Sequence, residues 1–531
     1  MEEKRMKKFT ALILAAIMCV SLAACGGGTA SSASTATGSS STAQATTATE
    51  PVSGGTVNIP ITDDPTTLQG WMLRNSNESV LSSAIYETLL QYDETGKPQP
   101  YLLESFEGDP ESLTYTMVVK DGITFQDGTP LDAEAVKWNL DWYKENGVLT
   151  GSYFGKVESV EVVDEKTVVV HMSSWDALFD YGLARTCYIC SPTAVEELGA
   201  DGFNEAPVGT GAFKVTKWVH GEGVYTEKYE DYWQGTPYLD GVNFKVYAST
   251  ATQQAALEVG DLDIMNLSGD AVTADALAQK GYVLTNAAIP STGYTLCFNS
   301  LSEGPLTDVR VRQAICYAVD AESICEALLG GGKYGSVSTQ WALPTSSEYT
   351  EIEGYGYDVE KAKSLLEEAG YGNGFDLTIN FQVGDFAKNV CQIIQAQLAE
   401  VGITVTLNQV DVANYANYLG EWDGILFHPM GLGNGQYSQI AANMIPEATF
   451  GAGSFLHDEE SVGMINEAIT SDAETMAADL NRAVEILFQE NVELYPIAIT
   501  YTTAVTSPKL HGDYNAVKQY EASWHELWKE A

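Results

Sequence analysis

The chain has 531 residues, room for about three domains of roughly 100–200 residues each, and 45% of its residues are hydrophobic. It carries 27 Lys and Arg against 72 Asp and Glu residues, for a formal net charge of −45 at pH 7. A surface this acidic repels the phosphates of nucleic acids and of anionic lipids, which argues against nucleic-acid binding and against a polybasic membrane contact.

Residues 1–24 have the pattern of a secretory signal. Basic residues precede an apolar stretch from Phe9 to Leu22, which is too short to remain as a stable membrane anchor. The stretch ends in Leu22-Ala23-Ala24-Cys25, which resembles a bacterial lipobox. The resemblance implies that residues 1–24 are removed and that Cys25 becomes the lipidated first residue of the mature protein.

A low-complexity segment follows the signal. Residues 25–54 consist mostly of Gly, Ala, Ser and Thr, which cannot bury enough apolar surface to fold. About 30 such residues reach roughly 30 Å as a flexible coil. Signal, Cys25 and tether together predict an extracytoplasmic protein that is lipid-anchored to the outer face of the bacterial cell membrane. Met1 and Met6 are both compatible with the start of translation.

The rest of the chain alternates strand and helix signals. Runs rich in β-branched and aromatic residues predict strands. The clearest runs are Thr56–Ile61, Leu113–Lys120, Ser159–Val163, Thr167–Met172, Val242–Tyr247, Phe375–Phe381 and Ile403–Val410. Apolar side chains at helical spacing predict helices that begin after Asp132 and Asp358 and that extend over Asp385–Val401 and Ala473–Glu490. The alternation predicts an α/β fold.

Eight sequence blocks occur in an order typical of one protein family. They are Tyr86–Leu90, Pro100–Ser105, Leu113–Leu131, Pro207–Phe213, Tyr232–Asp240, Gly260–Asp263, Asp308–Ala314 and Tyr357–Tyr371. In this order they resemble the family 5 solute-binding proteins of ABC importers, the peptide- and nickel-binding class, over about residues 55–510. The resemblance implies a two-lobed fold like that of type II periplasmic binding proteins, with an extra domain inserted in the first lobe.

The resemblance also implies a domain order and a function. We expect a first lobe at 55–290 with the inserted domain at about 86–200, a second lobe at 291–496, and a return to the first lobe at 497–531. Such a protein captures short peptides or peptide-like amino-carboxylates and delivers them to an ABC permease, as a monomer without a cofactor. A receptor for nickel or another metal chelate is the alternative. A secreted hydrolase is a remote one, because H-E-x-x-H, G-x-S-x-G and Walker A patterns are absent.

A carboxylate-bearing ligand is best held by a guanidinium group, so arginines are the first candidates for a binding site. Beyond residue 24 they are Arg74, Arg185, Arg310, Arg312 and Arg482. The two in the block at 308–314 are expected to pair with Asp308 or Asp320. Arg482 has acidic neighbours on a predicted amphipathic helix, which is typical of a solvated face. Arg185 and Arg74 therefore remain as ligand-binding candidates.

Arg185 is the stronger candidate of the two. It lies in the apolar stretch Gly182–Pro192, which we predict to be a strand in which a lone charge needs a partner. The stretch is similar to the one that supplies the carboxylate-binding arginine in the nickel-chelate members of the family. A buried structural ion pair is the alternative role. Tyr153 falls where those members place an aromatic side chain over the chelate.

His428 lies in the segment Trp422–Gly431, which matches the strand that leads into the family's pocket. The following loop, Gly431–Gln436, departs from both classes. It lacks the acidic residue that pairs with the peptide ammonium in peptide binders. It also lacks the Trp and Tyr of the nickel-chelate members, although His457 lies downstream. We retain His428 as a ligand-binding candidate.

Three other sequence features each allow a functional and a structural interpretation. Cys187 and Cys190 could form a soft-metal pair completed by His428, Met430 or His457, but residues three apart on a strand point to opposite faces, which favours inert thiols or a disulfide. The run Gly209–Gly211 lacks the Lys and the helix of a phosphate loop and predicts a close backbone approach. Four tryptophans are predicted as core or lobe-contact residues: Trp138, Trp142, Trp175 and Trp233.

Overall fold

The computed structural model describes residues 50–73, 76–93, 95–147, 154–342, 349, 351–411, 414–415, 418–432, 440, 443–446, 448, 450–514 and 523–531. Residues Pro51–Ala531 form one compact unit. Cys25, Arg74 and Tyr153 lie outside the described residues, so their predicted roles stay predictions. In the described part of the chain, no helix combines the length and the apolar character that crossing a membrane requires.

The described strands alternate with helices, as the sequence predicts. The strands are β1 (Thr56–Ile61), β2 (Leu90–Tyr92), β3 (Pro98–Pro100), β4 (Leu103–Asp109), β5 (Thr114–Val119), β6 (Val157–Val162), β7 (Thr167–Met172), β8 (Phe213–Val219), β9 (Gly223–Lys228), β10 (Gly241–Val246), β11 (Ile264–Ser268), β12 (Val283–Asn286), β13 (Thr292–Phe298), β14 (Gly335–Val337), β15 (Phe375–Gln382), β16 (Ile403–Val410), β17 (Ile425–Gly431), β18 (Leu494–Thr500), β19 (Thr502–Thr506), β20 (Leu510–His511) and β21 (Trp528–Lys529). The predicted α/β class is confirmed.

The helices are α1 (Ser76–Ile85), α2 (Ala133–Asn146), α3 (Phe179–Thr186), α4 (Pro192–Glu205), α5 (Thr250–Val259), α6 (Ala271–Gln279), α7 (Val309–Ala318), α8 (Ala321–Leu328), α9 (Val359–Glu368), α10 (Asp385–Ala399), α11 (Glu459–Ala468) and α12 (Ala473–Glu485). Capping explains two of the starts: the Asp132 side chain accepts from Ala135 N, and that of Asp358 accepts from Lys361 N. The helix predicted over Ala473–Glu490 is α12 followed by a π-helical turn at Ile486–Glu490.

The first half of the chain contributes two four-stranded sheets among the described residues. One has the order β1-β10-β9-β8 and the other β4-β5-β7-β6. The chain leaves the first sheet after β1, builds the second sheet, and returns to the first at β8. We infer from this path that the second sheet belongs to an inserted domain, within the span of about 86–200 that the family resemblance implies.

The second half of the chain builds a six-stranded sheet in the order β14-β18-β13-β17-β15-β16, and a three-stranded sheet has the order β11-β19-β12. The chain passes between these two sheets twice, from β12 to β13 and from β18 to β19. We infer two lobes joined at residues 287–291 and at Tyr501. The expected boundary between residues 496 and 497 falls inside β18, because this strand stays in the six-stranded sheet until Thr500.

The Gly209–Gly211 run packs against the end of α1, as predicted. A Cβ on Gly211 would lie 2.6 Å from the Ala84 carbonyl oxygen, and one on Gly209 would overlap the carbonyl oxygen of Ile85. The buried Gln126 side chain bridges the same backbone, since its Nε2 donates to the carbonyl oxygens of Ile85 and Gly211 at 3.0 and 2.9 Å. The glycines therefore serve backbone packing.

Candidate ligand-binding cleft

The two connections between the lobes lie side by side and form a hinge. Ser291 N donates to the Thr500 carbonyl oxygen at 2.8 Å, and Leu432 N donates to the Ser291 carbonyl oxygen at 3.0 Å. Gly269, which follows β11 with a φ of +68°, has the Phe386 ring of α10 beside it. The hinge thus packs against the end of β17, and the turn after β11 contacts the start of α10.

The strand directions place one edge of the six-stranded sheet against the hinge. Thr292, the first residue of β13, is paired with Gly431 at the end of β17. Strands β15 and β17 are parallel, and so are β15 and β16. The carboxyl ends of β17, β15 and β16 therefore lie along the hinge-side edge, which is where ligands bind in open α/β sheets. This edge forms the second-lobe wall of the candidate cleft.

The lobes also touch away from the hinge. Ala177 N, in the segment before α3, donates to the carbonyl oxygen of Ile469 at the end of α11, at 3.2 Å. One hydrophobic cluster contains side chains of both lobes, such as Leu183 and Met430. The described arrangement is therefore one in which the lobes are in contact.

Arg185 lies on a helix, so the predicted strand is wrong at this position. It occupies the last turn of α3, and the helix buries Phe179 and Leu183, which are four residues apart on one face. The apolar content of this stretch reflects that buried face. A cation in the last turn is stabilised by the partial negative charge of the helix C-terminus. Arg185 is partly exposed, and α3 begins two residues after the interlobe contact at Ala177.

His428 lies on β17, on the second lobe, whereas Arg185 lies on the first. A hydrogen bond of 2.8 Å joins His428 Nδ1 and the Tyr415 hydroxyl, and the Phe450 ring lies 4.7 Å from the imidazole. Burial lowers the pKa of His428 to about 3. The imidazole is therefore neutral at physiological pH and supplies no positive charge for a carboxylate. Its role in ligand binding stays a prediction.

Two of the other arginines are held by acidic neighbours. Arg310 pairs with Asp308 through Nη2 at 2.6 Å, as expected. Arg482 contacts three carboxylates on or near α12, those of Glu460, Glu485 and Glu490. The role of Arg185 in ligand binding stays a prediction.

Arg312 is buried, and its partners differ from those expected. Its guanidinium donates to the carbonyl oxygens of Asn491 and Leu306 rather than to Asp308 or Asp320. The nearby acid is Glu493, which is 1% exposed and accepts a hydrogen bond from the Ser300 hydroxyl, whose Oγ lies 3.0 and 2.8 Å from the two carboxyl oxygens. Burial raises the pKa of Glu493 to about 7, against an ordinary value of 4.5.

This raised pKa predicts a specific pH dependence. Between about pH 4.5 and 7 the folded protein keeps a proton on Glu493 that the unfolded chain has released, so the free energy of unfolding falls as the pH rises through this window. The contribution is about 3 kcal/mol. In urea unfolding, Glu493→Gln should therefore have the same free energy of unfolding as wild type at pH 4.5. At pH 8 its free energy of unfolding should be higher than that of wild type. Parallel pH profiles of the two proteins would contradict the prediction.

The structure tests the predictions made for two cysteines and four tryptophans. Cys187 and Cys190 are buried free thiols, so the disulfide alternative is wrong, and burial raises the pKa of both. Within the described ranges, no three His, Cys, Asp or Glu side chains converge as a metal site requires. Four tryptophans pack against the largest hydrophobic cluster, as expected: Trp138, Trp142, Trp175 and Trp233.

A contact at the back of the hinge was missed by the sequence analysis. Tyr334 of the second lobe is 1% exposed and packs among the side chains of α5, α6 and β11 in the first lobe. Its hydroxyl and Lys333 Nζ both contact Asp275 Oδ1 of α6, at 2.6 and 2.5 Å. We call Asp275, Lys333 and Tyr334 the hinge clasp. The signal in the sequence is the glycine run at 330–332, whose positive φ angles form the turn before Lys333.

Polar side chains at the end of β16 were also missed. They line a groove at the hinge-side edge of the sheet: Asn408, Gln409, Asp411, Asn414 and Tyr418. The sequence signal is a change from an alternating strand pattern to consecutive polar residues at the end of the run Ile403–Val410.

Comparisons with known proteins point to the same family as the sequence blocks. The chain matches the family described as bacterial extracellular solute-binding proteins, family 5 middle, over residues 97–439. It is 29% identical over 358 residues to the glutathione-binding protein GsiB of Shigella flexneri, a match that covers 66% of this chain and 69% of that protein.

Two solved structures share the fold. The substrate-binding protein CtaP of Listeria monocytogenes superposes with a TM-score of 0.80 at 22% identity, over 90% of this chain and 99% of that one. NikA of Brucella suis in complex with Fe(III)-EDTA superposes with a TM-score of 0.78 at 22% identity, over 90% of this chain and 100% of that one. Both likenesses confirm the two-lobed α/β fold.

The family match settles the general function. Its members are extracytoplasmic proteins that bind a small molecule or a peptide and pass it to the permease of an ABC importer. They are transport proteins rather than enzymes, so the hydrolase alternative is wrong. The family match covers more than half of the chain. The chain therefore belongs to the family 5 bacterial extracellular solute-binding proteins.

Proposed function

We propose that this protein binds short peptides or peptide-like amino-carboxylates in the cleft between its lobes. The observation that carries the proposal is the 29% identity with a relative named for glutathione, which is itself a small peptide with free carboxylates. Arg185 supports it, because it is a partly exposed guanidinium in the last turn of the first-lobe helix α3, which begins two residues after the interlobe contact at Ala177. A carboxylate is the group that such a guanidinium binds best.

A metal chelate is the second candidate. The fold it shares with NikA, whose structure holds Fe(III)-EDTA, favours it. EDTA presents carboxylates, so Arg185 would serve this ligand as well. His428 would contribute only as a neutral group, since burial lowers its pKa to about 3. The peptide proposal is preferred because it rests on a relative with higher sequence identity.

The mechanism we propose is hinge closure. A ligand that contacts both lobes stabilises the closed form, because the open form offers only one of the two sets of contacts. Arg185 would act from the first lobe, and the carboxyl ends of β15–β17 from the second. The permease would then recognise the closed form.

The N-terminal features complete the proposal. The LAAC run at 22–25 supports a lipid on Cys25, and residues 25–54 have the composition of a flexible tether. We propose that the protein works as a monomer held on the outer face of the cell membrane. A reach of roughly 30 Å would keep it close to its permease.

Native mass spectrometry tests the ligand class. The form that lacks residues 1–25 is purified without refolding, and a refolded sample serves as the ligand-free control. Bound mass in peptide-sized increments is the expected result. One adduct with a transition-metal isotope pattern would instead support the chelate.

A further inference from the structure

The groove at the end of β16 is large enough for part of a ligand. Its volume is about 380 Å³, within the range of roughly 300–1,000 Å³ that is typical of small-molecule sites. The described residues that line it are Asn408, Gln409, Val410, Asp411, Asn414 and Tyr418. We call this feature the β16 groove.

The β16 groove lies along the candidate cleft. Strand β16 is outermost in its sheet and is separated from β13 by β15 and β17. At about 4.8 Å between neighbouring strands, the groove is roughly 14 Å from β13 along the hinge-side edge. The loop that lines it also carries Tyr415, whose hydroxyl is bonded to His428 Nδ1 at 2.8 Å. The groove and His428 therefore share one wall.

The lining of the groove favours ligand groups that donate hydrogen bonds. The described lining residues comprise three amides, a phenol hydroxyl, a valine and the exposed carboxylate of Asp411, and none of these six is Lys, Arg or His. Asn414 donates two hydrogen bonds to the Asp411 carboxylate. Its backbone N–H donates to Oδ1 at 3.0 Å, and its Nδ2 donates to Oδ2 at 2.7 Å. Asn408 Nδ2 donates to Asn380 Oδ1 at 2.7 Å, which orients the Asn408 amide. A carboxylate placed here would be repelled by Asp411, whereas a cation would be attracted.

We propose that the β16 groove is a subsite for a cationic, N–H-rich side chain of the bound peptide, an ammonium or a guanidinium. The inference rests on the proposed function, because it needs a peptide in the cleft. It extends that function by naming a preference for peptides that contain Lys or Arg. The net charge of −45 supports the preference, since a strongly acidic protein attracts cationic ligands at long range.

A tripeptide library tests the subsite. Ligand-free wild type, Asp411→Asn and Asp376→Asn are each incubated with an equimolar random tripeptide library, and the retained peptides are identified by mass spectrometry. Asn at 411 can still accept the hydrogen bond from Asn414 N, so the variant is expected to fold. Asp376 is an exposed Asp at the opposite end of the same sheet and makes a matched control.

Wild type and Asp376→Asn are expected to retain peptides enriched in Lys and Arg. In Asp411→Asn this enrichment should fall by about fivefold, which is the upper value for one ion pair near the surface. Equal enrichment of Lys- and Arg-containing peptides in all three proteins would overturn the subsite proposal, and so would the absence of this enrichment in wild type. Neither result would contradict the proposal that the protein binds peptides. Retention of no peptide by wild type would overturn both proposals.

Discussion

Replacing Tyr334 by alanine is expected to lower the free energy of unfolding by about 3–5 kcal/mol, the usual cost of deleting a large buried aromatic side chain. The ring is 1% exposed and packs in the first lobe, although the chain on both sides of it belongs to the second. The substitution therefore leaves a cavity and also removes the hydroxyl bonded to Asp275 Oδ1 at 2.6 Å. Equilibrium unfolding in urea measures the change.

Two further variants separate the ring from the hydroxyl. Tyr334→Phe keeps the ring and should cost only about 1.5–3 kcal/mol, the value of one hydrogen bond to a charged group. Tyr357→Ala makes the same chemical change at a tyrosine that is 47% exposed, and it should change stability by less than about 0.5 kcal/mol. If Tyr334→Ala were no less stable than Tyr334→Phe, the hinge clasp would not hold the lobes together.

Replacing Arg185 by alanine is expected to weaken ligand binding by about 2–5 kcal/mol, which corresponds to a rise in Kd of roughly 30-fold or more. The physical reason is that a ligand carboxylate in the closed cleft would lose its charged partner. Titration calorimetry with the ligand identified by native mass spectrometry measures the effect. Arg185→Lys should recover part of the affinity, because it keeps the charge but not the two parallel hydrogen bonds.

Arg482→Ala is the matched control for this prediction. Arg482 lies on α12 among three carboxylates, so its removal should leave the Kd unchanged. An unchanged Kd for Arg185→Ala as well would mean that Arg185 has a structural role in the last turn of α3. The carboxylate site would then have to be sought elsewhere in the cleft.

Local chemistry explains why much of the fold could be predicted. Strands β1, β7 and β16 have their predicted limits, because alternation of apolar and polar residues depends on neighbours in the chain. The helices after Asp132 and Asp358 begin where predicted, because the capping bond spans only three residues. The short stretch around Arg185 was predicted wrongly, since eight residues with a high apolar content fit a strand as well as a buried helix.

The candidate site could be predicted only in part. Arg185 followed from the scarcity of arginines and from family resemblance, and the structure places it in the last turn of α3, a first-lobe helix that begins two residues after an interlobe contact. That the imidazole of His428 is neutral could not be inferred, because it depends on burial next to Phe450, which is distant in sequence. The β16 groove was missed for a similar reason: its position on the cleft depends on the order of strands in the sheet.

By itself, the sequence determined the class of this protein: an acidic α/β chain with family 5 sequence blocks in their typical order. These properties depend on composition and on short stretches of residues. Only the tertiary structure decided where β18 leaves the second lobe, which acid faces Arg312, and how Tyr334 fastens the hinge. Each of these joins residues far apart in the chain, so each depends on packing between distant elements rather than on local propensity.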